Sequence, residues 1–81
     1  MNVRVQFFSH LKDIIGASEL QLSLEQGATA GELLASLYER YPKLREWDSS
    51  ILIGAGVDFV DRDYVLRSDD EIAIMPPVQG G

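Results

Sequence analysis

Thr29-Ala30-Gly31-Glu32-Leu33-Leu34-Ala35-Ser36-Leu37-Tyr38-Glu39-Arg40-Tyr41-Pro42 is the stretch that decides the fold. Thr29 and Glu32 form a Thr-x-x-Glu capping box, in which each end side chain satisfies an otherwise unpaired backbone N–H of the first turn. Leu33, Leu34, Leu37, Tyr38 and Tyr41 then recur at i, i+1, i+4, i+5 and i+8, an apolar stripe along one helical face. Pro42 closes the stretch, because the residue before a proline is pushed out of the helical region. The spacing predicts one helix over residues 30–41 with a single face to bury.

On both sides the apolar period changes to two, the mark of half-buried strands. Upstream, Leu20, Leu22 and Leu24 alternate with Glu19, Gln21 and Ser23, and Gln26-Gly27 turns the chain. Further upstream, Val3, Val5 and Phe7 alternate with Asn2, Arg4 and Gln6. Between these strands Leu11, Ile14 and Ile15 fit a short helix, with Ser9 a suitable N-cap and Gly16 a suitable stop. Downstream, Leu44 and Trp47 are expected to close one end of the core from a loop or short helical turn. Ile51-Leu52-Ile53 begins a third strand, which Gly54 and Gly56 loosen at its far end or break with a bulge. Phe59-Val60 can pair briefly before the polar turn Asp61-Arg62-Asp63. Ser68-Asp69-Asp70 turns into a last strand, Glu71–Met75, which Pro76-Pro77 ends because neither residue can donate to a ladder. This order implies an α+β fold, a mixed sheet with one main helix packed on one face. We read it as a β-grasp domain over residues 1–75 with an extended C-terminal tail over 76–81.

With 81 residues the chain makes one small domain. At this size only about 60% of the unfolded chain's surface can be buried. There is no cysteine, which removes disulfides, thiolate metal sites and any thiol nucleophile. No apolar run approaches the roughly 18 residues needed to span a bilayer, and the N-terminus has no signal-peptide core, so a cytoplasmic protein is expected. Seven basic residues against thirteen acidic ones give a net charge of −6. Without a Lys/Arg cluster, neither nucleic acid nor an anionic membrane is expected as a direct partner. An acidic surface suits solubility and steering toward basic patches on another protein.

Enzymatic signatures are missing. His10, the single histidine, reads as an exposed helix residue. Gly54-Ala55-Gly56 precedes strand-like residues, so it fails as a nucleotide loop. Asp58, Asp61, Asp63, Asp69, Asp70 and Glu71 lack the ligand spacing of a calcium loop and read as a solvated acidic edge. No metal site is expected. The C-terminus stands apart, because two terminal glycines arise by chance in about one chain in 200. Fully extended, Pro76 to Gly81 reaches about 20 Å. Lacking a Cβ, Gly80 and Gly81 can thread a channel too narrow for other residues, with the Gly81 α-carboxylate arriving first. Adenylation with ATP would turn that poor electrophile into a reactive acyl group.

The opening strand Val3-Arg4-Val5-Gln6-Phe7-Phe8, the strand entry Asp70-Glu71-Ile72-Ala73 and the end Pro76-Pro77-Val78-Gln79-Gly80-Gly81 together resemble the MoaD/ThiS group of ubiquitin-like sulfur carriers. The Gly-Gly marks the wider group, and Pro-Pro-Val before it points to the molybdopterin synthase branch. Gly56 stands where the family often has Asn, and Asp69 where it often has Gly. The resemblance implies a carrier subunit and not a free-standing catalyst. An E1-like activating enzyme would use ATP to adenylate Gly81, and a sulfur donor would convert it to a thiocarboxylate. Val78, Gln79 and Gly80 would thread the active site of a large subunit of molybdopterin synthase, where the sulfur attacks a cyclic pterin precursor. No cofactor would be bound by this chain itself.

Phe7 and Phe8 are consecutive on a strand, so they point to opposite faces and only one belongs to the core. The outward ring, with Met75, Pro76, Pro77 and Val78, is expected to form an apolar partner patch beside the tail. Alternatives share the same tail: a protein modifier that joins Gly81 to lysines, or a carrier for thiamine or tRNA thiolation. A passive interaction module with an incidental Gly-Gly is a third class.

Overall fold

Alternation of branched apolar with polar residues builds β1 (Asn2–Phe7) and β2 (Glu19–Ser23), which pair antiparallel with Val3 opposite Leu22 and Val5 opposite Leu20. These features come from a computed structural model, which describes residues 1–77; Val78, Gln79, Gly80 and Gly81 lie outside the described residues. The last strand, β5 (Glu71–Met75), lies parallel to β1, with Val5 opposite Ile72 and Phe7 opposite Ile74. β3 (Leu52–Ala55) runs antiparallel to β5, and β4 (Asp58–Val60) folds back on β3 as a hairpin. The five-stranded sheet has the order β2-β1-β5-β3-β4. Its two central strands are therefore the first and last of the chain.

The stripe on α2 (Ala30–Arg40) covers one face of this sheet. Its cap is reciprocal: Glu32 N–H donates to Thr29 Oγ1 at 3.2 Å, and Thr29 N–H donates to Glu32 Oε1 at 3.1 Å. Leu33, Leu34, Leu37 and Tyr38 share one core with Val3, Val5, Phe7, Leu22, Ile53, Ile72 and Ile74. Each fully buried aliphatic side chain there contributes about 1.5–3 kcal/mol. The segment after β4 crosses the start of α2, where Ala30 N–H donates to Tyr64 O at 2.9 Å and Gly31 N–H to Arg62 O at 3.0 Å. A Cβ on Gly31 would sit 3.3 Å from that Arg62 oxygen and 3.3 Å from Arg62 Cβ, so the crossing is close and leaves room for little more than a methyl.

Three local expectations are corrected. Ser9 does not cap α1 (His10–Ile15) with its side chain; its backbone lies at φ 56, ψ −141, outside the extended region a capping side chain needs. Gly16 does stop the helix, in the left-handed region at φ 83. Leu44 alone closes the end of the core from a 3₁₀ segment, Pro42–Ser50, while Trp47 stays exposed with its ring 4.3 Å from that of His10. Gly54 neither loosens nor bulges β3, because pairing continues through it to Ala73 and Phe59. The turn falls at Gly56, whose φ of 63 lies in the left-handed region that glycine adopts freely. Among the described residues, no helix is long and apolar enough to cross a membrane.

Candidate functional site

The uncovered face of the sheet is divided into two chemistries, and the C-terminal tail leaves from the apolar one. Strand period places Arg4, Gln6 and Phe8 of the first segment on this outer face, together with Glu71, Ala73 and Met75 of β5. From β3 and β4 come Leu52, Gly54 and Phe59, since Leu52 pairs with Met75 and Gly54 pairs with both Ala73 and Phe59. The β2 side contributes Glu19, Gln21 and Ser23.

The polar half is organised by Arg4, which reaches Glu19 at 3.6 Å on one flank and Glu71 at 3.6 Å on the other. All three side chains are substantially exposed, so each ion pair contributes at most about 1 kcal/mol. The apolar half centres on Phe8 and Phe59, 44% and 69% exposed, with Leu52 also exposed and Met75 half-buried. Phe8 is held at the end of β1 by its N–H, which donates to Ile74 O at 3.2 Å. Immediately beyond Met75 stand Pro76 and Pro77, half-buried, whose rings fix φ near −65° and stiffen the exit of the tail.

Phe7, left open beside Phe8 as an interface candidate on sequence alone, is corrected: it is 2% exposed, lies in the core and is not available to a partner. Phe8, Met75, Pro76 and Pro77 lie together at the tail exit. Val78, Gln79, Gly80 and Gly81 fall outside the described residues. Leu52 and Phe59 are the members of the face that sequence reasoning missed. Their signal was the two-residue turn at Gly56-Val57, which sets Phe59 opposite Gly54 and hence outward.

The acidic edge is partly turn chemistry. Asp70 Oδ2 accepts from Arg67 N–H at 2.8 Å and from the Tyr64 hydroxyl at 2.9 Å, and Asp61 Oδ1 accepts from Asp63 N–H at 3.0 Å. The hydrogen bond to Asp70 raises the Tyr64 phenol above its ordinary value. A second network lies away from the face. The Tyr38 hydroxyl donates to Asp48 Oδ1 at 2.5 Å, and Arg62 Nη2 reaches the same oxygen at 3.1 Å. Burial, reinforced by that bond, pushes the Tyr38 phenol up to about 12. The Tyr38 hydrogen bond in turn lowers the Asp48 carboxyl.

Parallel first and last strands at the centre of a mixed sheet, with a helix across one face, define the β-grasp class. Residues 5–81 match the model of the ThiS family, and the chain belongs to that family. It is 30% identical over 82 residues to the human molybdopterin synthase sulfur carrier subunit, covering 98% of this chain and 93% of that one. The Arabidopsis thaliana protein of the same description is 26% identical over 81 residues, covering 100% of this chain and 84% of that one. Among solved structures, small archaeal modifier protein 1 from Methanosarcina acetivorans superposes with a TM-score of 0.81 at 31% identity, over 99% of this chain and 96% of that one. A complex of subunits 1 and 2 of molybdopterin-converting factor from Helicobacter pylori contains a chain of the same fold, with a TM-score of 0.71 at 24% identity and complete coverage of both chains.

Proposed function

We propose that this chain is the sulfur-carrier subunit of a molybdopterin synthase, with residues 1–75 as the recognised body and 76–81 as the reactive tether. The observation that carries the reading is the apolar row of exposed Phe8 and Leu52 with half-buried Met75, at the point where a tail ending in Gly80-Gly81 leaves the fold. In this reading an E1-like enzyme joins the Gly81 carboxylate to the AMP part of ATP and releases pyrophosphate. A hydrosulfide-equivalent donor then displaces AMP and leaves a thiocarboxylate. The large subunit receives the tail, and the thiocarboxylate sulfur becomes the nucleophile toward the pterin precursor. Glycine suits this end because an activated glycyl group has no stereocentre to racemise. The acids and bases of the reaction belong to the partners.

Intact mass after incubation with the activating enzyme, ATP and a sulfur source tests the proposal. The expected result is a gain of one sulfur minus one oxygen that vanishes when Gly81 is deleted. No gain, with an activating enzyme competent on another carrier, would overturn it. The likeness to the Methanosarcina modifier protein, at 31% identity, supports a second reading in which activated Gly81 is transferred to lysines. Lysine-linked conjugates that disappear on deletion of Gly81 distinguish it.

A further inference from the structure

Within the apolar half of the outer face, Gly54 is buried beneath the Met75 side chain, which closes a notch in the strand row. Gly54 and Ala73 are cross-strand partners, so two of the smallest side chains meet where larger ones surround them. Phe59 stands directly across from Gly54 on the β4 side, and Leu52 and Met75 form the next row toward the tail. Met75 leans over the gap: a Cβ built on Gly54 would lie 3.3 Å from Met75 Cε and 3.6 Å from Ala73 Cβ. The floor is therefore backbone and methyl, and its cover is the free end of an unbranched thioether. Methionine has three rotatable bonds and tolerates repacking better than any branched residue.

The tail dictates what must sit here. Four residues follow Pro77. Their contour length holds the Gly81 carboxyl within about 14 Å of Pro77. Any protein that works on this carboxyl must bring its surface down onto the ground around Pro77, and the adjoining row is Phe8, Met75 and Leu52. Gln6, paired with Ala73, borders the floor on the β1 side. The row from Gln6 through Ala73 and Gly54 to Phe59 holds no charged side chain, so a charged side chain pressed onto it would lose its water without an ion partner. An apolar one would replace exposed hydrocarbon with contact.

We propose that the Gly54–Ala73 notch takes one bulky apolar side chain of the partner protein, with Met75 as its movable cover; the inference rests on the carrier reading above and names where the large subunit grips. The absence of a side chain at Gly54 thereby sets which partner surfaces fit. Met75 lets the notch reshape for the activating enzyme and the large subunit in turn.

Calorimetric titration of the full-length chain with its separately purified large subunit provides the test. Gly54→Val adds a β-branched side chain that suits a strand; its Cβ meets the flexible end of Met75 at 3.3 Å, with Ala73 Cβ at 3.6 Å and Asp58 O at 3.8 Å in ordinary contact. It is expected to weaken binding at least tenfold, equivalent to about 1.4 kcal/mol. Gly54→Ala gives a smaller loss and decides the matter if circular dichroism shows the valine variant to be misfolded. Ser23→Val makes a similar addition on the polar half of the same face and leaves binding within twofold. Folded Gly54 variants that bind within twofold of the parent overturn the inference, as does an equal loss from Ser23→Val. Absence of binding by the parent chain removes the carrier reading, and the notch assignment with it.

Discussion

Replacing Phe8 with aspartate separates a docking residue from a core residue at neighbouring positions. Fully burying a Phe side chain is worth about 1.5–3 kcal/mol. Phe8 is 44% exposed, so closing a partner over the remainder contributes about 1 kcal/mol, or roughly fivefold in Kd. Phe8→Ala should lose that amount. Phe8→Asp also forces a carboxylate into a desolvated contact, adding about 1–3 kcal/mol, so the combined loss is at least about 30-fold. The isolated fold should lose only about 1–2 kcal/mol from the part of the ring already packed, against a total stability of at least about 5. Phe7→Asp, by contrast, buries the same carboxylate in the core and should unfold the domain. Ser23→Asp changes the net charge equally from the polar half and controls for long-range repulsion. Titration with the large subunit, beside thermal melting of each variant, reads both quantities. A folded Phe8→Asp chain that binds within threefold of the parent refutes the docking face. Unfolding of Phe8→Asp as complete as that of Phe7→Asp would show that the ring is a core residue in solution.

Other consequences follow from the scaffold. Leu37→Ala, at a fully buried position of α2, should cost about 2–5 kcal/mol in denaturant unfolding. Gly31→Ala should be near neutral, because a helix-propensity gain of about 1 kcal/mol is offset by crowding against Arg62 O. Gly31→Val should lose about 2 kcal/mol in the same assay, since backbone cannot step aside as a side-chain tip can. Ser9→Gly should raise stability by about 1 kcal/mol, as glycine accepts the observed φ of 56 without steric conflict; a lower denaturation midpoint would count against that backbone geometry. Tyr38 is raised to about 12, so the stability it contributes is complete below its unfolded value of 10.0 and declines as pH rises toward 12. Melting temperatures of the parent should therefore fall more steeply over that range than those of Tyr38→Phe.

Elements with a clear period were legible without coordinates. The α2 stripe and its capping box, the alternation in β1 and β2 and the Pro-Pro stop each carry a local physical cause written into adjacent residues. Features set by pairing across the chain were not. Leu52 and Phe59 become neighbours on one face only through the β3–β4 and β3–β5 registers, and neither short strand has enough alternation to reveal its phase. Trp47 has the composition of a core residue, yet the 3₁₀ segment turns Leu44 inward instead. Ser9 satisfied a capping preference in sequence, but the turn out of β1 imposes a backbone that capping cannot use. Consecutive Phe7 and Phe8 were legible as a pair of opposites, and burial then decides between them.

The division of labour on the chain bears on the choice between carrier and modifier. In either reading the reactive carboxyl sits at Gly81, and nothing in the tail separates a sulfur acceptor from a lysine acceptor. Selection must then come from what the body allows near the tail, because a tether of four residues beyond Pro77 reaches only about 14 Å. A large subunit that seats on Phe8, Leu52, Phe59 and Met75 presents its active site within that reach and holds it there. A lysine on an arbitrary protein has no reason to carry a surface complementary to this face. Conjugation would therefore need a further protein to bring the acceptor close, whereas sulfur delivery needs only the partner that fits. Variants of the outer face thus discriminate where tail variants cannot. Loss of Gly81 abolishes both outcomes, while loss of the apolar row should abolish transfer to the large subunit and leave the chemical competence of the terminal glycine intact.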